Sequence, residues 1–74
     1  MKKLFLVKLR TIVDLATTKP YKEDQFLAIQ IHQGEIITFH NAGLLDYHEY
    51  RLLYELSTMV RDEIRIALRK DDTA

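Results

Sequence analysis

From Tyr47 to Lys70 the chain runs without a Gly or a Pro, and the residues just before that run are a helix start signal. Asp46 followed by Glu49 has capping-box spacing, in which each side chain can satisfy a backbone donor of the first turn. Leu45 and Tyr50 are placed for a hydrophobic staple across the cap. Arg69 and Lys70 stand at the far end, where cations suit the helix dipole. The spacing predicts one helix over about 46–70, roughly 35 Å long at 1.5 Å per residue, with Asp71 to Ala74 as a frayed tail. In a chain of 74 residues such a rod sets the task for everything upstream, which must cover it.

The upstream residues read as strands. Over residues 3–15, Phe5, Val7, Leu9, Thr11, Val13 and Leu15 alternate with Leu4, Leu6, Lys8, Arg10, Ile12 and Asp14. A period of two predicts a long half-buried strand whose first face meets the core. Residues 16–25 are polar and hold the single Pro, so they predict a loop. Phe26 to His32 and Glu35 to His40 are short runs rich in Ile and Phe, separated by Gln33-Gly34, and predict a hairpin over 26–40. A two-residue turn would set Ile31 opposite Ile36, and a three-residue turn would align Leu27, Ile29 and Ile31 with Ile37 and Phe39. The expected fold is therefore α+β: one domain over 1–74, in two layers, with a three-stranded antiparallel sheet followed by one long C-terminal helix, in order β-β-β-α.

The rod carries more apolar surface than a sheet of that size covers. At 100° per residue, Leu53, Leu56, Val60, Ile64 and Ala67 form one stripe, widened by Tyr50 and Leu68. Leu52, Met59 and Ile66 form a second, spaced by seven, which is the pattern of a helix–helix seam. That second stripe predicts a homo-oligomer, a dimer first, unless the 16–25 loop folds over it through Tyr21. Small size points the same way. A domain this short buries only about 60% of its unfolded surface, and with no Cys it has no disulfide to compensate, so a second copy is the readiest source of stability. A third side holds Tyr47, Tyr54, Arg61 and Arg65, with Arg51 and Arg69 near it. Arg beside Tyr suits a protein partner, a phosphate or a stacked base; the plainer alternative is a solvated face with Glu55 and Asp62.

Charge adds little specificity. Eleven basic and eleven acidic residues cancel, which argues against non-specific nucleic-acid binding. They are segregated, however: residues 1–22 carry six bases and one acid, and residues 23–50 carry five acids and no Lys or Arg. Either adjacent elements neutralise each other, or a basic strand faces an acidic partner. The apolar run Leu4–Val7 is too short for a signal peptide or a membrane span, which makes the cytoplasm the expected compartment.

Catalytic signatures are missing. Gly34 and Gly43 are isolated, so no Gly-rich phosphate loop exists, and Ser57 falls mid-helix with no His at helical reach. His40 and His48 with Asp46 or Glu49 match no metal-binding spacing, and no cofactor or metal is expected. The expected function is a small non-enzymatic binding protein, a regulator or inhibitor of another macromolecule. By association of class alone, it suits a phage- or mobile-element-encoded protein of the anti-defence type. Self-association would use Leu52, Met59 and Ile66, and the partner would meet Tyr47, Tyr54, Arg61 and Arg65. The alternative is a nucleotide or nucleic-acid binder with Arg61, Arg65 and Arg69 on phosphates and Tyr54 as a stacking platform.

Overall fold

The computed structural model describes the backbone of residues 2–73 and the side chains of residues 3–69. It overturns the expected sheet. The chain is all-α, three helices in the order α1 (Lys2–Thr17), α2 (Glu23–Asn41) and α3 (Tyr47–Thr73), and no strand occurs among the described residues. The long helix begins where its cap predicts and runs through Thr73, so the expected tail continues the helix; Ala74 lies outside the described residues.

The alternation of residues 3–15 concealed a helical stripe. Phe5, Lys8, Leu9, Ile12 and Ala16 recur at helical spacing, and Ile12 is sealed from solvent with the others packed around it. Val7 and Val13, which complete the period of two, are exposed, and so is Leu6 from the other face of the expected strand, whereas Ile12 from that other face is the residue that is sealed. Nothing in residues 2–17 breaks a helix. The supposed hairpin is a single helix. Phe26, Ile29, Gln33, Ile36 and His40 lie on one side of α2, and Ile29 and Ile36 are fully buried. Its Ile and Thr residues each lower helix propensity by less than about 0.7 kcal/mol, and Gly34 by about 1. Burying one Ile returns about 1.5–3 kcal/mol, so packing outweighs local preference.

Side-chain contacts set the helix directions. Lys8 on α1 reaches Glu35 on α2, and the Gln25 amide donates to the Leu15 carbonyl at 3.1 Å, so α1 and α2 are antiparallel. The Gln33 amide donates to the Thr58 hydroxyl at 2.7 Å, and the His40 ring stacks on Tyr50 at 4.4 Å, so α2 and α3 are antiparallel as well. It follows that α1 and α3 run parallel. The body measures 44 × 17 × 17 Å. Its core is Ile12, Tyr21, Ile29, Ile36, Leu45, Leu53, Val60 and Ile64.

The two connections are closed by local polar chemistry. At the first, Gln25 accepts from the Lys22 N–H at 2.8 Å and donates to the Thr18 carbonyl at 2.8 Å, while the Tyr21 hydroxyl donates to the Ala16 carbonyl at 2.6 Å. The Lys19–Pro20 peptide bond within it is cis. At the second, Gly43 has φ +79°, and the N–H groups of Gly43 and Leu44 donate to the carbonyls of His40 and Phe39. This is a Schellman closure of α2. Asp46 and Glu49 then open α3 with reciprocal bonds: the Asp46 N–H to Glu49 at 3.1 Å and the Glu49 N–H to Asp46 at 2.8 Å.

The two glycines should respond oppositely to alanine. A Cβ at Gly34 meets nothing within 4 Å, and the position is ordinary helix. Gly34→Ala is expected to stabilise by about 0.5–1 kcal/mol. Gly43→Ala forces a side chain into the left-handed region and should destabilise by about 1 kcal/mol. Thermal melts of both variants check this pair, and equal shifts would contradict it.

Candidate functional site

A three-helix bundle hides one stripe per helix, so the directions of the remaining side chains follow from the contacts above. On α1, Lys8 lies on the flank facing α2. Leu6 and Val13 lie about 140–160° around the helix from Lys8 at 100° per residue, which puts them on the flank facing α3. On α3, Arg61 faces α2, where it donates to the Gln33 side chain at 3.2 Å. Leu52, Met59 and Ile66 lie on the opposite flank, facing α1. The five side chains therefore border the outer groove between the two parallel helices.

They are open to solvent: Leu6 58%, Val13 44%, Leu52 59%, Met59 67% and Ile66 52% exposed. Half-buried Leu9 and Leu56 fall between them and the core. The first connection does fold onto α3. Tyr21 is buried, and its phenol pKa is raised by burial first and then by Glu63 nearby. The Leu52, Met59, Ile66 stripe nevertheless stays open beside it.

The groove is edged by charge of opposite sign on its two sides. Outward of Leu6 and Val13 stand Lys3 and Arg10, both exposed. Outward of Leu52 and Met59 stand Glu55 and Asp62. Each of these four sets repeats at seven residues. Leu6 and Val13 were legible as part of the site only to a reader who already knew that α1 is a helix, because in a strand they fall on opposite faces.

A second apolar surface lies on the far side of the bundle. Leu27 and Ile31 are more than half exposed, with Gly34 and Thr38 continuing their line along α2. They point away from the core stripe of Ile29 and Ile36, and so away from the α1–α3 groove. The expected hairpin obscured this surface too.

The Arg and Tyr residues do not form one continuous face. Arg61 is half-buried and committed to Gln33 and Asp62 in the α2–α3 seam. Tyr54 is half-buried beside the Tyr50 ring at 5.8 Å, while Tyr47 is exposed near His40 and His48. Arg65 pairs with Asp62 at 3.5 Å and, with Arg69, Phe26 and Leu68, lines a shallow open cleft of about 180 Å³.

His40 is structural. Its Nδ1 lies 3.0 Å from the Leu45 carbonyl, and a carbonyl only accepts, so Nδ1 carries the proton. Among the described residues no three His, Cys, Asp or Glu side chains gather to hold a metal ion, and no helix is long and apolar enough to cross a membrane.

The densest polar cluster is Lys8, His32 and Glu35. The buried Lys8 amine lies 2.5 Å from Glu35 Oε1 and 3.3 Å from His32 Nδ1, and His32 lies 3.0 Å from the same carboxylate oxygen. The Lys8 ammonium also sits 5.3 Å from the centre of the Phe39 ring. The hydrogen bond from Lys8 holds the Glu35 carboxyl below its usual 4.5, against partial burial that pushes it up, and the charges of Lys8 and His32 add to the lowering. The cluster ties α1 to α2 in a place where a lone buried ammonium would be costly. No protein family, curated protein or solved structure matches the chain.

A lowered carboxyl stabilises the fold above its unfolded pKa, and that contribution is lost as pH falls through the folded value. Stability should therefore decline below about pH 4.5, and Glu35→Gln should flatten that decline. Urea midpoints between pH 3 and 7 measure it; an unchanged acid limb in Glu35→Gln would remove the cluster from this role.

Proposed function

We propose that the chain is a small helical binding protein without chemistry of its own, which regulates or inhibits another protein by occupying its surface. The observation that carries this reading is the placement of the exposed apolar residues. Scattered single hydrophobics are ordinary on any surface. Here seven of the eleven exposed large hydrophobics among the described residues are collected on two opposite faces: Leu6, Val13, Leu52, Met59 and Ile66 at the α1–α3 groove, and Leu27 and Ile31 on the back of α2. Aligned apolar faces of this kind mark interaction surfaces.

The back of α2 is the surface assigned to the foreign partner. Leu27 and Ile31 sit just past Glu23 and Asp24, and residues 23–50 contain no Lys or Arg. The matching partner surface is apolar with a basic edge, in the manner of a helix laid on a groove. Tyr47 and Leu44, both exposed near the α2–α3 turn, extend the same acidic half. A cytoplasmic setting agrees with a core that holds without any disulfide.

The nucleotide or nucleic-acid reading has less support. Arg61 faces Gln33, which leaves only Arg65 and Arg69, around Phe26, for a phosphate.

Capture from the native host, with cross-linking to map the contact, tests the assignment. Leu27→Glu with Ile31→Glu changes only exposed side chains and should keep the circular dichroism of the helices. It is expected to lose the captured protein and the cross-links to α2. Retention of the same protein by this variant would defeat the reading, and contacts confined to Arg65 and Arg69 with a phosphorylated ligand would favour the alternative.

A further inference from the structure

We infer that the α1–α3 groove is filled by a second copy of this chain, in a parallel two-fold dimer in which each α1 lies on the partner's α3. The inference rests on reading the exposed apolar faces as docking surfaces, and it adds the identity of one occupant.

Size permits a dimer. One long side of a 44 × 17 × 17 Å body presents about 750 Å², and a stable interface takes about 800 Å² from each partner. The side in question has the apolar centre and charged edge of such an interface, with Leu6, Val13, Leu52, Met59 and Ile66 between the two charged rims.

Charge selects both the occupant and its direction. The α1 rim is basic through Lys3 and Arg10, and the α3 rim is acidic through Glu55 and Asp62. Lys3 and Arg10 make no ion pair among the described residues, the Asp62 pairs are long, at 3.4 and 3.5 Å, and the 3.0 Å pair of Glu55 with Arg51 is solvent-exposed on both sides and so easily exchanged. A surface with one basic and one acidic edge is complementary to itself. Rotation by 180° about an axis along the helices places each basic rim against the partner's acidic rim. Rotation about an axis across the helices would instead lay α1 on α1 and α3 on α3, with like charges facing. The contacts Lys8–Glu35 and Gln33–Thr58, between antiparallel neighbours, set Lys8 about level with Leu56. Arg10 and Lys3 then lie within about one helical turn of the level of the partner's Asp62 and Glu55, a span that their long side chains can lean across. The seven-residue spacing on both helices lets the apolar side chains interleave between those pairs.

The chain has no cysteine, which makes disulfide trapping unambiguous. Arg10→Cys and Asp62→Cys proteins, mixed and mildly oxidised, should give a covalent heterodimer, while neither protein alone should cross-link. Wild-type protein should sediment as a dimer at micromolar concentration, and Met59→Glu should weaken the dimer about a hundredfold by burying an unpaired charge, with its helical signal intact. A monomeric wild-type protein overturns the inference, as does efficient cross-linking of Arg10→Cys alone or Asp62→Cys alone, since the parallel arrangement sends each of these residues and its own copy to opposite edges of the interface. A monomer that still captures its partner through Leu27 and Ile31 would refute the dimer and leave the proposed function standing. A dimer that captures nothing would do the reverse.

Discussion

A bundle of three helices has an interior only one stripe wide per helix. Ile12, Ile29 and Ile36, and Leu53, Val60 and Ile64 use that width fully, with Tyr21 and Leu45 closing its ends, and the apolar residues on the outer faces of the helices stay in water. Among the described residues no fourth element wraps the three helices further. The exposed faces on the α1–α3 groove and the back of α2 are consequences of that geometry. They need no special local conformation, only more apolar residues than three stripes can take.

The polar residues within the bundle act as ties between helices. Gln25 joins the end of α1 to the start of α2, Lys8 and Glu35 join the helices' middle, and Gln33 with Arg61 and Thr58 joins α2 to α3. Among the described residues no buried side-chain polar atom lacks a hydrogen bond. Such ties are directional in a way apolar packing is not. Together they specify which flank of each helix faces inward, and so which apolar residues remain outside. Arg61 illustrates the point, since its bond to Gln33 takes it out of the external Arg and Tyr face and into the seam.

The long helix was legible because several independent local signals agreed there: the Asp46–Glu49 cap, the uninterrupted run and the stripe of Leu53, Val60 and Ile64. The first two helices were misread for a physical reason. Both carry apolar residues on two faces, so their hydrophobic pattern fits a period of two as well as one of 3.6. Val7 and Val13 completed a false alternation in α1, and Leu27, Ile31 and Ile37 did the same in α2. Gly34, which resembles a hairpin turn, is only an exposed helical glycine with room for a side chain. The actual turn lies at Gly43, where φ is positive.

Taken alone, the order of residues determined the last helix, its start, the lack of any disulfide and the surplus of apolar side chains on that helix. Those features are set within a turn or two of chain, where capping and spacing act. Only the tertiary structure decided that α1 and α2 are helices, because the burial that outweighs their Ile, Thr and Gly content comes from contacts with α3. It alone also decided that Leu6 and Val13 border the same groove as Leu52, Met59 and Ile66, with a basic edge facing an acidic one, since that juxtaposition exists only after two helices far apart in the chain lie side by side.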